Sequence, residues 1–552
     1  MAPTDDSVQM INDSGAQKRS DSIPNSEEAR KEIVDEPADL SDSFNYLTGW
    51  RFYVACIVTQ FALFLVNFEI TIVSTALVSI SNDLKDFSRT SWVITAYLIT
   101  YTSFLVIVAK LSDHFGRKQT YLTALVIFTA FSGGCGGAQT IVQLIVFRAF
   151  QGVGGGGLYS VAFVMLYELV PKKKYPLMLV TSVAVALLGN ALGPIFGGLI
   201  SQRSTWRWVF LLNVPVGVVL IIGVFFAVPN DFPYQGMRDE KVKSKPKLSS
   251  IDFAGAILML VALALLIAGL NEAASNLVWI SAVVLAPIII SGFVWAAFII
   301  CQWYYARSGS SIQSVLPWRF FKNRLVMGVI LNSFSTGCVS IALLILLPLR
   351  YQTTVGSSPL EAGVKLLPFV LFTSTGAALT GALVKNRRLP PVYVALFGVL
   401  LQVAGLAALP SISPTKTSVY GLQFITGLGA GLNIGVVSLM TAYVVEHKDL
   451  AIATAAGTQF RFLGSAVVVS ITTAVGNNIV KAKLAGTLTA DQLAQIFRSS
   501  ATINTLQPAL RDLVRQEFIT SSNVQLRIVL GFAVASFLST LLLWKRQQIL
   551  VE

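Results

Sequence analysis

The sequence is poor in charged residues: Asp, Glu, Lys and Arg together make up 12% of the chain, whereas hydrophobic residues make up 54%. Soluble domains carry about 25% charged residues, so this balance excludes an ordinary soluble protein. Apolar runs of roughly 18 residues or more recur along the chain, and each is long enough for a helix across a ~30 Å hydrocarbon core. The composition therefore predicts a membrane protein that crosses the bilayer many times.

Cysteine and histidine are also scarce. The four cysteines, Cys56, Cys135, Cys301 and Cys338, stand singly within apolar runs. Such an arrangement indicates neither a disulfide framework nor a cluster of metal ligands. The two histidines fall at the edges of predicted loops. We therefore expect neither a metal nor a cofactor.

Several sequence motifs of enzymes are missing. The glycine run at 152–157 lacks the Lys-Ser/Thr pair of a phosphate-binding loop and lies within an apolar run, so ATP-driven transport is not indicated. A hydrolase elbow and a nucleophile with an adjacent base are missing too, which argues against an enzyme. The alternating strands of a membrane barrel are absent, which leaves helices as the membrane-crossing elements.

Apolar length and turn signals predict an all-α fold with about fourteen membrane helices. The formal charge of +13 lies largely in alternate short loops, so it is a topology signal and not a sign of nucleic-acid binding. The basic loops and both termini should be cytoplasmic. The predicted ranges are approximately 51–80, 91–111, 118–138, 140–168, 175–200, 207–229, 251–271, 278–305, 324–349, 360–384, 391–410, 419–444, 450–476 and 525–546.

Weak internal repeats relate the two ends of this helix series. The segment FRAFQGVGGG at 147–156 in predicted helix 4 recurs as LQFITGLGAG at 422–431 in helix 12. The segment LGN at 188–190 in helix 5 corresponds to LGS at 463–465 in helix 13. Parallel repeats of this kind are typical of transporters that bind substrate near the midplane between two halves. Helices 7 and 8 remain unmatched and form an insert.

The repeats and the composition together predict the domain organisation. The acidic, Ser-rich start should be a disordered tail, and without a basic start before an apolar core no cleaved signal peptide is expected. In the last outer loop, Thr489 and Gln492 have the spacing of a capping box, and residues 506–518 have helical apolar spacing. The predicted parts are a cytoplasmic tail at 1–46, an N-terminal half at 47–230, a linker with two inserted helices at 231–310, a C-terminal half at 311–546 that includes an extracellular loop at 477–524, and a tail at 547–552.

An acid stands in the middle of the first apolar run, where Glu69 lies within ALFLVNFEITIVSTA at 62–76. Insertion scales charge a carboxylate at a helix centre about 2.5–3.5 kcal/mol, so an intramembrane acid is by default a functional-site hypothesis. Arg148 is a permanent cation in the fourth run, and Glu69 is its obvious partner. A purely structural buried pair is the alternative.

Three segments resemble signatures of the major facilitator superfamily. AKLSDHFGRK at 109–118 resembles the loop between helices 2 and 3, and GNALGPIFGG at 189–198 resembles the antiporter signature of helix 5. RAFQGVG at 148–154 matches the helix 4 pattern. The layout of six, two and six helices and WRWVFLLNVP at 206–215 are similar to the fourteen-helix drug:proton antiporters, and most similar in character to fungal exporters of toxins and secondary metabolites. The resemblance covers residues 50–546, approximately.

The resemblance assigns roles to individual residues. Arg148 would take part in proton coupling with Glu69. The helix 5 segment has small residues at a spacing that permits close packing, and its proline bends the helix; only the resemblance links it to antiport. The loop after helix 2 would stabilise the outward-facing state through Asp113, Gly116, Arg117 and Lys118, and the helix 5 residues are Gly189, Gly193, Pro194, Gly197 and Gly198.

Arg461 is a second intramembrane cation. It would bind an anionic group of a substrate or a carboxylate such as Asp113, or else extend to the membrane surface in a structural role. Other polar side chains within the predicted helices are candidates for a substrate cavity. They are Asn67, Tyr97, Tyr101, Asn190, Asn332 and Gln459.

The sequence and the resemblance together predict a proton-coupled exporter that works by alternating access. Its substrates would be small hydrophobic or amphipathic toxins, drugs or metabolites, moved across the plasma membrane by a monomer driven by the proton gradient. A vacuolar or vesicle membrane is the alternative location. Proton-coupled uptake by symport and a non-transporting membrane receptor or sensor are the alternative functions.

Overall fold

The computed structural model describes residues 46–85, 90–171, 174–233, 252–276, 280–308, 312, 314–386, 389–446, 449–498, 503, 505–546 and 548. The predicted tails at 1–46 and 547–552 lie almost wholly outside these residues. All regular secondary structure in the described part of the chain is helical, which confirms the predicted fold class. By length and composition, fourteen of the described helices can cross a membrane.

The fourteen membrane helices are numbered here in chain order. The first six are α1 (Trp50–Leu84), α2 (Thr90–Phe115), α3 (Arg117–Gly137), α4 (Ile141–Glu168), α5 (Tyr175–Arg203) and α6 (Trp208–Ala227, interrupted at Leu212). The next two are α7 (Phe253–Asn276) and α8 (Ala282–Arg307). The last six are α9 (Arg324–Arg350), α10 (Pro359–Asn386), α11 (Pro391–Ala408), α12 (Ser418–Val444), α13 (Leu450–Leu484) and α14 (Pro508–Leu541).

The last two helices are longer than predicted. Since α13 ends at Leu484 and α14 begins at Pro508, the loop between them is 485–507 and not 477–524. The predicted segment 506–518 is helical from Pro508 onward, but it forms the first turns of α14 because no helix-breaking residue separates it from the apolar span. The predicted capping box is confirmed at the short helix Ala490–Arg498: the Thr489 amide donates to Gln492 Oε1 (3.1 Å), and the Gln492 amide donates to Thr489 Oγ1 (3.3 Å).

The helices pack in two sets with the same pattern of neighbours. In the first set α1 packs on α5, α2 on α4, and α3 on α4 and α6. In the second set α9 packs on α13, α10 on α12, and α11 on α12 and α14. The sets are joined chiefly between α5 and α10 and between α2 and α13, with smaller contacts between α4 and α13 and between α5 and α12. This pairing matches the repeats between helices 4 and 12 and between helices 5 and 13.

The inserted helix α7 packs against α8, α2 and α13. Two polar contacts attach it to α2: Thr95 Oγ1 donates to Asn271 Oδ1 (2.8 Å), and Trp92 Nε1 donates to Glu272 Oε1 (3.1 Å). We call the end of the bundle that carries residues 485–507 the cap end, and the end that carries residues 113–117 the basic end.

Glycines allow α5 to pack closely on α1. A Cβ atom at Gly193 would lie 1.9 Å from Thr71 Oγ1 and 2.9 Å from the Ile72 backbone nitrogen. Gly189 and Gly197 also lie against the backbone of α1, where a Cβ would come within 2.6 Å and 2.2 Å of a carbonyl oxygen. The close helix packing predicted from the small-residue spacing is therefore confirmed, and it fixes the position of α5.

We expect Gly193→Ala to destabilise the protein by about 1–3 kcal/mol, because the added methyl group overlaps with the backbone of α1. Thermal unfolding of the purified protein in detergent would measure this. Gly292→Ala in α8 is the matched control, since a Cβ there meets no atom within 4 Å and alanine favours helix. Equal melting temperatures for the two variants would show that the close approach is not needed for stability.

Candidate functional site

Glu69 and Arg148 form an ion pair inside the first set of helices. Arg148 Nη1 lies 2.6 Å from Glu69 Oε1, and both side chains are 0% exposed. The contact predicted between these two residues is therefore confirmed. A buried ion pair is stable only where further hydrogen bonds satisfy its remaining donors and acceptors, so its surroundings matter as much as the pair itself.

Three neutral side chains complete the pair. Asn213 Nδ2 donates to Glu69 Oε2 (2.6 Å) and to Ser132 Oγ (3.0 Å). Gln151 Oε1 accepts from Arg148 Nη1 (2.8 Å), and Gln151 Nε2 donates to Ser132 Oγ (3.1 Å). Both carboxylate oxygens thus accept a hydrogen bond, and α1, α3, α4 and α6 each contribute a side chain.

Helix α2 provides the remaining contacts of the guanidinium group. Arg148 Nε donates to the Val93 carbonyl oxygen (3.1 Å), and the guanidinium carbon lies 4.2 Å from the centre of the Tyr97 ring. The Phe210 ring of α6 lies 5.6 Å away on another side. Aromatic faces stabilise a desolvated cation, so Tyr97 and Phe210 offset part of the cost of burial.

The neutral partners left only weak signals in the sequence. Gln151 follows Arg148 by three residues, which places both side chains on one face of α4. Asn213 is the one hydrogen-bonding side chain within the apolar segment 209–228. A search for isolated polar residues in apolar helices would have found Asn213, although only the structure pairs it with Glu69.

The loop after α2 is held together by Arg117. Its Nη1 lies 2.5 Å from Asp113 Oδ1, and its Nη2 lies 2.8 Å from Glu168 Oε1. Gly116 has φ +96°, a left-handed conformation that favours glycine, and this lets α3 start directly after α2. Sequence reasoning found Asp113 but missed Glu168, the more buried carboxylate, at the end of α4.

Lys118 serves a different contact from Arg117. Its Nζ donates to the Phe225 carbonyl oxygen (2.8 Å) and lies 5.1 Å from the centre of the Phe225 ring. Lys118 therefore attaches α3 to α6, while Arg117 connects the ends of α2 and α4. All these contacts lie within the first set of helices at the basic end.

A cavity of about 1130 Å³ lies between the two sets of helices. It extends from Phe497 and Phe518 at the cap end to Tyr167 and Thr441 towards the basic end. Its charged lining residues are Arg350 and Arg461, and the described lining includes neither aspartate nor glutamate. In size it matches the larger cavities that bind small molecules.

Four of the predicted residues reach this cavity. Asn67 and Asn190 line it side by side, with Asn190 Nδ2 donating to Asn67 Oδ1 (3.3 Å). Arg461 also lines it, and its Nη2 donates to Tyr159 Oη (2.8 Å). Pro194 of α5 forms part of the wall, whereas Gly189, Gly193 and Gly197 face α1, and Gly198 is partly buried outside the lining.

Four other predicted cavity residues lie elsewhere. Tyr97 and Tyr101 are fully buried behind the wall, with their rings stacked 5.7 Å apart. Asn332 lies between α9 and α14, where its Nδ2 donates to Thr540 Oγ1 (2.7 Å), and Gln459 is buried on α13 away from the cavity. A helix turns by roughly 100° per residue, so side chains close to a lining residue in sequence point to a different side.

The comparisons with known proteins agree with this arrangement. The model of the Major Facilitator Superfamily matches residues 60–469. The chain is 38% identical over 508 residues to the MFS-type transporter FPY5 of Fusarium mangiferae. This alignment covers 91% of this chain and 85% of the relative. It is 30% identical to Multidrug resistance protein 3 of Bacillus subtilis, in an alignment that covers 75% of this chain and 77% of the relative. It is 29% identical to the Aspyridones efflux protein of Neocamarosporium betae, where 75% of this chain and 73% of the relative are covered.

Solved structures share the fold at low sequence identity. A bacterial homologue of the human lysosomal transporter Spinster, in an inward-facing and unoccupied conformation, has a TM-score of 0.59 at 14% identity and covers 91% of this chain and 100% of that chain. The proton:xylose symporter XylE has a TM-score of 0.53 at 12% identity, with 85% and 94% covered. The family model matches most of the chain and its relatives are aligned over most of their length, so this multi-pass membrane protein is a transporter that belongs to the major facilitator superfamily.

Proposed function

We propose that the protein exports small hydrophobic or amphipathic molecules in exchange for protons. The observation that carries this proposal is the fully buried pair of Glu69 and Arg148, which lies beside a cavity between two similarly packed sets of helices. Relatives that bear the names multidrug resistance protein and efflux protein support export over uptake.

Protonation of Glu69 would change the energy of this arrangement. Ionised Glu69 accepts hydrogen bonds from Arg148 and Asn213; a protonated carboxyl group would leave Arg148 as a buried cation without a counter-charge. The other titratable groups close to the pair are Tyr97 on α2 and Cys135 on α3. Because α1 also lines the cavity, a shift of α1 on protonation would reach the substrate site.

The burial of the pair would also prevent a proton leak. With both side chains 0% exposed, Glu69 would exchange its proton only when the helices around it move. A carboxylate that is reached from one side at a time is what coupled exchange by alternating access requires.

We infer that the basic end faces the cytoplasm with both termini, and that the protein is a monomer in the plasma membrane. At this end Val106 and Ala109 of α2 pack with Ile452 and Ala456 of α13, so the two sets of helices are in contact there. The cavity reaches the cap end instead. In this orientation the structure corresponds to the outward-facing arrangement.

We expect Glu69→Gln to abolish the part of transport that depends on the pH gradient while the protein still folds. Asn213 Oδ1 has no hydrogen-bond partner, so a flipped Asn213 amide would accept a hydrogen bond from the new glutamine. The measurement is uptake of rhodamine 6G and pyrenebutyrate into proteoliposomes with an acidic lumen. The matched control is Glu361→Gln, which removes a carboxylate that is 52% exposed and should leave uptake unchanged.

Transport assays in the same proteoliposomes distinguish antiport from symport. Antiport predicts that an acidic lumen drives uptake of the probe, whereas symport predicts uptake when the external side is acidic. Undiminished gradient-driven uptake by Glu69→Gln would remove Glu69 as the proton carrier. Failure of wild-type protein to move either probe under a pH gradient would contradict the proposed function.

We propose that Asp113, Gly116, Arg117 and Lys118 keep the basic end rigid enough to close against α13. Arg117→Ala would leave Glu168 buried without a cation, and a broken buried pair costs about 3–5 kcal/mol. Asp113→Asn should cost much less, because Asp113 is 22% exposed and Arg117 keeps Glu168 as its partner. Thermal unfolding of both variants in detergent tests this order, and a larger loss for Asp113→Asn would reverse it.

A further inference from the structure

We propose that the cavity binds organic anions, and that Arg461 holds the carboxylate or equivalent acid group of the substrate. This inference rests on the proposed export function and names the chemical class of its substrate. It starts from the charge of the cavity wall, in which the described part contains two arginines and no aspartate, glutamate, lysine or histidine. A site with this charge favours anions over cations.

The two arginines are not equally available. Arg350 lies close to the cap end, and its guanidinium donates to the carbonyl oxygens of Leu409 (3.4 Å) and Ile412 (3.3 Å) and to Asn523 Oδ1 (3.1 Å). These acceptors hold Arg350 within the second set of helices. Arg461 is therefore the cation that is free to face a ligand.

Arg461 has an incomplete set of partners. Its side-chain hydrogen bond among the described residues goes to Tyr159 Oη (2.8 Å), which is a neutral acceptor. A guanidinium has five N–H donors in a planar fork that matches a carboxylate, so donors remain for a ligand. Ion pairs of the described chain involve Arg117, Arg148 and other cations but not Arg461.

Arg461 lies well inside α13 and not at its end. It follows the start of the helix by eleven residues, which corresponds to about 16 Å along the helix, and its side chain is partly buried. An unpaired charge at this depth is costly. A substrate carboxylate would offset that cost, whereas a neutral or cationic substrate would not.

The neighbours of Arg461 suit an amphipathic acid. Thr458 and Ser465, three residues before it and four after it, also line the cavity and lie on the same face of α13. The Thr458 hydroxyl offers a further hydrogen bond to an acid group, whereas the Ser465 hydroxyl donates to the Phe462 carbonyl oxygen (3.0 Å). Leu187 and Ile341 contribute apolar wall to the same cavity, which would accommodate the hydrophobic part of the molecule.

The backbone at Arg461 is held in place by α9. A Cβ atom at Gly337 would lie 1.9 Å from the Arg461 carbonyl oxygen, so the two helices touch at this point. Tyr159, which accepts the hydrogen bond from the Arg461 side chain, belongs to α4 in the other set of helices. A bound anion would therefore sit beside a contact between the two sets and would accept from the N–H groups of Arg461 that Tyr159 does not use.

The test compares acids with neutral amides of the same shape. We expect the purified wild-type protein to bind pyrenebutyrate about 10- to 100-fold more tightly than pyrenebutyramide, the range given by a charge-assisted hydrogen bond. The same comparison is made with two smaller acids, 4-phenylbutyrate and decanoate, each measured against its own amide. In Arg461→Gln the acid and the amide should bind equally, while Arg461→Lys should retain part of the preference because it retains the charge.

Controls separate this proposal from loss of folding and from the export mechanism. Lys416→Gln removes an exposed cation outside the cavity and should leave the preference unchanged, and melting temperatures establish that each variant is folded. Binding is measured in detergent at one pH, so it does not depend on transport or on Glu69. A wild-type protein without preference for the acids, or a folded Arg461→Gln that keeps the preference, would overturn the anion site but leave proton-driven export untouched.

Discussion

The guanidinium group of Arg148 is charged and its side chain is fully buried, so the first six helices must supply it with partners. Helices α1 and α4 supply hydrogen-bonding side chains, α6 supplies the Phe210 ring, and α2 supplies a carbonyl oxygen and the Tyr97 ring. The glycine run of α4 serves the same requirement: a Cβ at Gly155 would lie 2.5 Å from Tyr97 Oη. The glycines therefore admit the ring that covers the cation.

Arg148 and Arg461 both carry a charge inside the helix bundle, but they differ in their partners. Arg148 is neutralised within one set of helices, whereas Arg461 faces the space between the sets and keeps donors free. Aromatic rings connect them. Tyr97 stacks on Tyr101 at 5.7 Å, and Tyr101 contacts the Phe462 ring at 5.0 Å and the Tyr159 ring at 6.1 Å. The buried ion pair and the cavity cation are thus joined by packed side chains.

Much of this architecture could be predicted from the sequence because the bilayer imposes helix length and penalises charge. The same constraints identified Glu69 and Arg148 as partners. The sequence could not predict which face of each helix lines the cavity, because helices that are apolar all round have no amphipathic period. For this reason Tyr97 was expected in the cavity, whereas it lies behind the cavity wall. Glu168 was missed because an acid at a helix end is indistinguishable in sequence from an exposed loop residue. The extension of α13 to Leu484 was missed because hydropathy marks only the part of a helix that lies within lipid.

Helix α7 makes the two interfaces between the helix sets unequal in their access to lipid. It packs against both α2 and α13 and so covers their interface from the outside, while Asn271 and Glu272 attach it to α2 by hydrogen bonds. Leu263 and Ile267 of α7 belong to the same hydrophobic cluster as Ile452 of α13. The described residues place no comparable helix over the interface of α5 and α10. A molecule dissolved in the bilayer would therefore meet α7 on one side of the protein and the packed interface of α5 and α10 itself on the other.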